Sequence, residues 1–156
     1  MLYEEKIIET IPVGPLGLIP LKSCTELGDK VNAYLVDWRR ERESEHKSTI
    51  AFSGYQRESY IIGASTPRFG TGEAKGTLSE SVRGDDLYIM VDVCNYSLTY
   101  SLCGMTNHMS PDDHFQDLKR IIAAAAGKAR RINVIMPFLY ESRQHKRSSR
   151  ESLDCA

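Results

Sequence analysis

The stretch SPDDHFQDLKRIIAAAAGKARRINVIMPFL, residues 110–139, decides how this chain is expected to fold. Ser110 can cap a helix, the proline after it suits the first helical position, and the next two carboxylates face the positive end of the helix dipole. The helix is predicted to run through residues 117–126 and to end at Gly127. Residues 131–139 then form an apolar strand.

A second apolar stretch lies upstream of this helix. LYIMVDV, residues 87–93, is almost entirely apolar and rich in β-branched residues, which is typical of a strand buried on both faces in a parallel sheet. Strand, helix and strand in this order give a βαβ unit. The sequence therefore predicts an α/β fold, a three-layer sandwich around a parallel sheet.

The N-terminal third of the chain is less regular. Residues 1–21 are predicted to form an arm, because their Pro and Gly residues forbid a regular helix, and residues 22–156 to form the domain. A helix is expected from Thr25, and residues 49–54 and 59–65 are expected to form strands. The apolar face of that helix is predicted to consist of Leu27, Val31, Tyr34, Leu35 and Trp38.

Composition restricts the possible functions. The chain has 156 residues, 41% of them hydrophobic, and a formal net charge of −1, so one domain with a real core is expected. A near-neutral chain has no overall field to attract a polyanion, which argues against general nucleic-acid or membrane-surface binding. The four cysteines form no CxxC pair, and no stretch is long enough to span a bilayer. A reducing, cytoplasmic setting is expected.

The densest positive charge follows the last predicted strand, in SRQHKRSSR, residues 142–150. Open parallel sheets bind ligands beyond the carboxyl ends of their strands, so this segment lies where a site is expected. Arginine offers forked donors to phosphate oxygens, and Gln144 can pair with the polar edge of a base. A solvated basic loop is equally compatible with the pattern. No aromatic residues alternate with the charges, which disfavours a nucleic-acid-binding module.

Two other patterns suggest a metal site and a dinucleotide-binding site, but the residues around them do not support either. His108, His114, Asp112 and Asp113 flank the predicted helix start, yet they match no metal-ligand spacing, and capping explains the two carboxylates. Glycines at 70, 72 and 76 precede a strand instead of joining a strand to a helix, so they do not form a dinucleotide fingerprint. They are expected to serve a loop or hairpin.

Three segments together resemble the N-terminal half of ribose-phosphate pyrophosphokinase, also called phosphoribosyl pyrophosphate synthetase. FGTGEAKGTLSESVRGDDLYIM, residues 69–90, is similar to that family's Phe-x-Asn-x-Glu block followed by its ESVRG turn and strand. The helix and strand from Pro111 to Pro137 match the family without gaps. The Arg143-Gln144 pair follows Pro137 at the family's spacing.

The resemblance implies a phosphoribosyltransferase-like domain of an enzyme that transfers diphosphate from ATP to ribose 5-phosphate, with Mg²⁺, in nucleotide biosynthesis. In the family, the adenine lies between the Arg-Gln pair of one subunit and the Phe-x-Asn-x-Glu loop of a neighbour, which implies a homo-oligomer. The residues carried over to ATP binding are Phe69, Thr71, Glu73, Arg143, Gln144, His145, Lys146 and Arg147.

The chain also departs from the family pattern. Thr71 stands where the family has Asn, His145 replaces an expected Asp, and the segment Cys94–Ser110 is longer than usual. The family's metal-binding histidine, catalytic loop and ribose 5-phosphate loop would all lie beyond Ala156. The chain is therefore expected to be an inactive N-terminal part of such an enzyme, without catalytic or metal-binding residues. The alternative is a catalytically silent subunit that assembles with active synthetases and regulates them.

Overall fold

A parallel sheet forms the centre of the fold in the computed structural model, which describes residues 12–45 and 56–152. Strand β4 (Asp86–Met90) lies between β1 (Leu16–Pro20) and β7 (Arg131–Ile135), and all three run parallel. This arrangement confirms the predicted α/β class. The strand predicted at residues 49–54 lies outside the described residues.

A fourth, shorter segment continues the sheet beyond β1. The Leu18 N–H donates to the Tyr60 carbonyl, and the Leu18 carbonyl accepts from the Ile62 N–H, each at 2.8 Å. This segment also runs parallel to β1. The strand predicted over residues 59–65 is therefore only partly formed. It consists of one β-bridge at Ile61 and the short strand β2 (Ala64–Ser65).

Two antiparallel hairpins and two helices complete the described chain. One hairpin pairs β2 with β3 (Thr77–Leu78), and the other pairs β5 (Thr99–Leu102) with β6 (Met105–His108). A short 3-10 helix (Lys22–Cys24) leads into α1 (Thr25–Ser44), and α2 (Pro111–Ala125) joins β6 to β7. No helix in the described ranges is long and apolar enough to cross a membrane.

The helices cover opposite faces of the sheet because side chains alternate along each strand. Ile19, Leu87 and Ile89 pack against α2 residues such as Ile121 on one face. On the other face, Leu18 and Tyr88 belong to a second apolar cluster, which includes Val36 of α1. The result is the predicted three-layer sandwich.

The start of α2 follows the prediction closely. Ser110 Oγ accepts a hydrogen bond from the Asp113 N–H at 3.2 Å, and the Asp113 carboxylate accepts from the Ser110 N–H at 2.9 Å. This reciprocal capping box satisfies backbone donors that a helix start leaves free. The helix ends with Ala126 and Gly127 at φ values of 50° and 65°, so the predicted glycine stop is also confirmed.

Three features differ from the prediction. Residues 16–20 of the predicted arm form β1, whose central residues are buried. On α1, Tyr34 and Trp38 are 72% and 49% exposed, and Leu27 is exposed as well. The buried face of α1 centres on Gly28 and Val36, because the helix approaches β1 so closely that a Cβ at Gly28 would lie 2.4 Å from Cβ of Pro20.

The last strand is also less buried than its apolar sequence predicts. β7 occupies one edge of the three-stranded sheet, and its residues Val134 and Ile135 are 42% and 38% exposed. The central strand β4, in contrast, is buried over nearly its whole length. Apolar composition alone did not distinguish a central strand from an edge strand.

This difference gives a direct stability test. Ile89→Ala, in the central strand and fully buried, is expected to lower the free energy of unfolding by about 2–5 kcal/mol, because it removes packed methyl groups and leaves a cavity. Ile135→Ala at the exposed edge is the matched control and should cost about 1 kcal/mol or less. Urea unfolding measures both values. Equal losses of unfolding free energy in the two variants would contradict the assignment of β7 to an exposed edge.

Candidate functional site

A cavity of about 270 Å³ lies beyond the carboxyl ends of β4 and β7. Cys94 and Tyr96, from the segment after β4, line one side, and Phe138 lies on the side that follows β7. Arg143 and Gln144 complete the wall. The predicted basic segment thus begins at the edge of the sheet where open α/β folds bind ligands.

Tyr140 provides a fixed wall of this cavity. Its ring stacks on Phe115 of α2, with centroids 4.1 Å apart and planes 12° from parallel. Its hydroxyl donates to Asp112 at 2.6 Å, and this hydrogen bond raises the pKa of Tyr140 above its usual range. The phenol therefore stays protonated and holds the segment after β7 against the start of α2.

The turn that follows Tyr140 orients the Arg-Gln pair. Glu141 adopts a left-handed conformation with φ of 56°, and its carbonyl accepts from the Gln144 N–H at 2.8 Å. Arg143 is exposed, while the Oε1 atom of Gln144 accepts from Ser152 Oγ at 3.0 Å. The next three residues of the basic segment, His145, Lys146 and Arg147, are exposed and do not line the cavity.

The other predicted site residues lie in a tight turn between β2 and β3. The Phe69 N–H donates to the Glu73 carbonyl at 2.7 Å, and the Gly72 N–H donates back to Phe69 at 2.9 Å. Gly72 has φ of 90°, a conformation that glycine adopts without strain. Thr71 Oγ1 donates to Glu73 Oε2 at 3.1 Å, so these two side chains are linked, and the Phe69 ring is half exposed.

The structure therefore brings the predicted residues together in two groups. Phe69, Thr71 and Glu73 share one turn, and Arg143 and Gln144 share the cavity after β7. None of the first group lines that cavity. Within one copy of the chain, the two groups do not form a common site.

A buried ion-pair network anchors the Phe69 turn to α2. Asp117, whose side chain is 7% exposed, accepts from Arg68 at 3.0 Å and from Arg120 at 2.7 Å. Thr66 Oγ1 also donates to Asp117, at 3.0 Å. Sequence reasoning missed this network. The available signal was an acidic residue at the helical spacing of the apolar positions Leu118 and Ile121 on α2.

The β5–β6 hairpin covers the same turn from another side. The Cys103 N–H, at the hairpin tip, donates to the Gly70 carbonyl at 3.0 Å. The Arg68 guanidinium lies 4.9 Å from the Tyr100 ring centroid, within the range of a cation–π contact. A Cβ at Gly72 would lie 3.0 Å from the Leu102 side chain. The Cys94–Ser110 segment thus packs on the Phe69 turn.

The histidines and acids considered as metal ligands have other partners. The His108 and His114 rings each contact a carbonyl, of Tyr96 and Asn95 respectively. Asp112 accepts from Tyr140 and Asp113 caps α2. Across residues 12–45 and 56–152, no three His, Cys, Asp or Glu side chains are arranged to hold a metal ion.

Comparison with protein families identifies the family of this chain. The family model described as the N-terminal domain of ribose phosphate pyrophosphokinase matches residues 16–156. The chain belongs to this family. The match begins at the first residue of β1, so it includes a strand that lies within the predicted N-terminal arm.

A solved structure shows the same fold. The crystal structure of phosphoribosylpyrophosphate synthetase from Mycobacterium smegmatis matches with a TM-score of 0.57 and 23% sequence identity. The match covers 88% of this chain and 35% of that one, so the chain spans about a third of the length of that synthetase. No curated protein matches the chain.

The network at Asp117 can be tested by substitution. Asp117→Asn should lower the free energy of unfolding by about 3 kcal/mol or more, because it leaves the buried Arg68 with only the more distant carboxylate of Asp113, at 3.9 Å. The matched control, Asp37→Asn, breaks an exposed pair with Arg40 and should change little. Urea unfolding at neutral pH compares the two variants. Losses of equal size would show that the network does not hold the turn.

Proposed function

We propose that this chain is the nucleotide-binding N-terminal part of a ribose-phosphate pyrophosphokinase, a cytoplasmic enzyme that as a whole transfers diphosphate from ATP to ribose 5-phosphate. The supporting observation is the cavity that Arg143 and Gln144 line at the carboxyl edge of the sheet, in a chain that belongs to this family. Family membership alone would not indicate which residues of this divergent sequence bind the nucleotide.

The chemistry of the cavity suits an adenine nucleotide. Phe138 and Tyr96 offer partly exposed rings against which a base can pack, and the Gln144 amide can hydrogen-bond to the polar edge of the base. The Arg143 guanidinium can bind phosphate oxygens through two parallel hydrogen bonds. His145, Lys146 and Arg147 continue the chain into solvent and extend the positive charge along the path of a triphosphate.

Phe69, Thr71 and Glu73 are proposed to contact the same nucleotide from a neighbouring copy of the chain. Their turn lies outside the Arg143 cavity, so one copy offers only part of the site. The hydrogen bond between Thr71 and Glu73 orients the carboxylate on the exposed side of the turn, where it can accept from an amino group. A homo-oligomer follows from this division.

Mg²⁺ is proposed to arrive with ATP. The described part of the chain offers no group of three metal-ligating side chains, so the triphosphate oxygens would be the principal ligands of the ion. The ribose 5-phosphate site and the catalytic groups are assigned to the remainder of the enzyme, and the chain alone is expected to be inactive. No observation on the described residues favours the alternative of a silent regulatory subunit.

The role of Arg143 is tested by titrating the chain with Mg-ATP in a calorimeter at high protein concentration. Arg143→Ala should weaken binding about tenfold or more, since it removes hydrogen bonds from a charged donor. Arg40→Ala, which removes an exposed arginine from α1, is the matched control and should bind as the unsubstituted chain does. Equal affinity in both variants, or no saturable heat from the unsubstituted chain, would contradict the assignment of these residues.

The division of the site between copies is tested by mixing two variants. Phe69→Ala damages the part of the site on the Phe69 turn, and Arg143→Ala damages the part in the Arg143 cavity. Each variant alone should bind Mg-ATP weakly. In a twofold dimer, a mixture of the two recovers about a quarter of the intact sites, because half of the dimers are mixed and each of these has one undamaged site. Recovery of saturable binding on mixing supports the shared site. If mixing restores nothing although the variants exchange, each site belongs to one copy.

A further inference from the structure

The sheet has a topological switch point between β1 and β4. The chain leaves β1 through α1 and returns on the outer side of β1, at Tyr60–Ile62. It leaves β4 through α2 and continues in the opposite direction, to β7. β1 and β4 stay paired to their last residues, but the helices that follow them cover opposite faces, so the chain segments leaving the two strands separate and leave a crevice. Open α/β sheets bind ligands in crevices of this kind.

A cavity of about 320 Å³ lies in this crevice, within the size range of small-molecule sites. Ser23, Cys24, Leu27 and Lys30 line it from the chain after β1, and Asp92 from the chain after β4. It shares no lining residue with the Arg143 cavity, because the Asp92–Tyr96 segment passes between them. The two cavities are therefore separate candidate sites at one edge of the sheet.

Hydrogen bonds hold the base of the crevice in place. The Asp92 N–H donates to Ser23 Oγ at 3.0 Å, and the Asn95 side-chain amide donates to the Ser23 carbonyl at 3.2 Å. Asp92 Oδ1 accepts from the Cys94 N–H at 2.9 Å. These contacts orient the carboxylate without using Oδ2. In the part of the chain that the structure describes, no cation lies within ion-pair distance of Asp92.

Two carboxylates and one cation line the crevice, as they also line the Arg143 cavity, where Asp112 and Glu141 accompany Arg143. Asp92 and Glu26 contribute negative charge, and the single cation, Lys30, already bonds to Glu26 at 2.6 Å. Burial and the nearby Asp92 raise the pKa of the Cys24 thiol, which therefore stays neutral. This balance disfavours phosphates and favours ligands that donate hydrogen bonds. Leu27 and Pro137 add apolar surface against which a flat ring can pack.

We propose that the switch-point crevice binds an uncharged nucleoside, with the Asp92 carboxylate accepting hydrogen bonds from the ribose diol. In dinucleotide-binding sheets, the ribose hydroxyl is recognised by a carboxylate, and Asp92 offers the same group after β4. The Ser23 hydroxyl is placed to interact with the same sugar, and the base packs on Leu27 and Pro137. This second site is independent of the proposed ATP site, because the two cavities share no lining residue and Lys30, the cation that lines the crevice, is already paired with Glu26.

The test is a titration of the ¹⁵N-labelled chain with adenosine, followed by NMR. The reporters are the backbone amide of Asp92 and the side-chain amide of Asn95, which are donors at the base of the crevice and belong to residues that do not line the Arg143 cavity. Their signals should shift saturably with adenosine. The analogue 2′,3′-dideoxyadenosine, which lacks the diol, should bind with an affinity lower by about tenfold or more.

Asp92→Asn is the variant that tests the carboxylate. It keeps an oxygen for the Cys94 N–H but removes the charge, and it should weaken adenosine binding about tenfold. Asp29→Asn, the same change at an exposed position of α1, is the control and should leave binding unchanged. An unchanged dispersion of amide signals shows that the Asp92 variant is folded.

Three results would overturn the proposal. Equal affinity for adenosine and its dideoxy analogue would show that no diol is recognised. Shifts confined to the amides of Arg143 and Gln144 would place the nucleoside in the other cavity. An absence of saturable shifts at millimolar adenosine would show that the crevice is not a nucleoside site. The Arg143→Ala variant, which damages the proposed ATP site, should bind adenosine normally, so the two proposals can fail separately.

Discussion

The central strand β4 is the constraint on which the rest of the described structure depends. It is hydrogen-bonded on both edges, to β1 and to β7, and its side chains pack against α2 on one face and the α1 cluster on the other. A strand in this position has no polar face and no free edge, so its neighbours must supply every contact. Both cavities described above open where the chain leaves this strand.

The Phe69 turn illustrates a different kind of constraint. A short surface turn has little apolar area of its own to bury, yet this one is held by the Arg68–Asp117 pair below it and by the β5–β6 hairpin beside it. Buried ion pairs are weak evidence for added stability, but their geometry restricts the alternatives available to a loop. Under the proposed function, these contacts prepare the turn to meet a nucleotide on another copy.

The two cavities at the carboxyl edge show how one fold can offer two different sets of side chains within a short distance. The segment Asp92–Tyr96 separates them, contributing Asp92 to one and Cys94 to the other. Arginine beside aromatic rings makes the first cavity suitable for an anionic, flat ligand, whereas the carboxylate of the second suits a hydroxylated one. Local side chains decide this difference, since the backbone architecture is common to both.

The sequence by itself determined the features that depend on local pattern. The apolar run at residues 87–93, the capping residues around Ser110, the glycine stop after α2 and the spacing of the Arg143-Gln144 pair all depend on residues close together in the chain. These features were enough to predict the parallel α/β fold, the family and the location of the basic segment. They express backbone preferences and short-range periodicity, which one sequence shows directly.

Only the tertiary structure decided which apolar surfaces are covered. The close approach of Gly28 to Pro20 turned the buried face of α1 away from Tyr34 and Trp38, and the strand order placed β7 at an edge. Asp117 meets Arg68 across 49 residues of sequence, and the crevice between β1 and β4 exists only because the chain reverses direction there. Each of these depends on contacts between distant parts of the chain, and one sequence contains no direct record of which distant residues will meet.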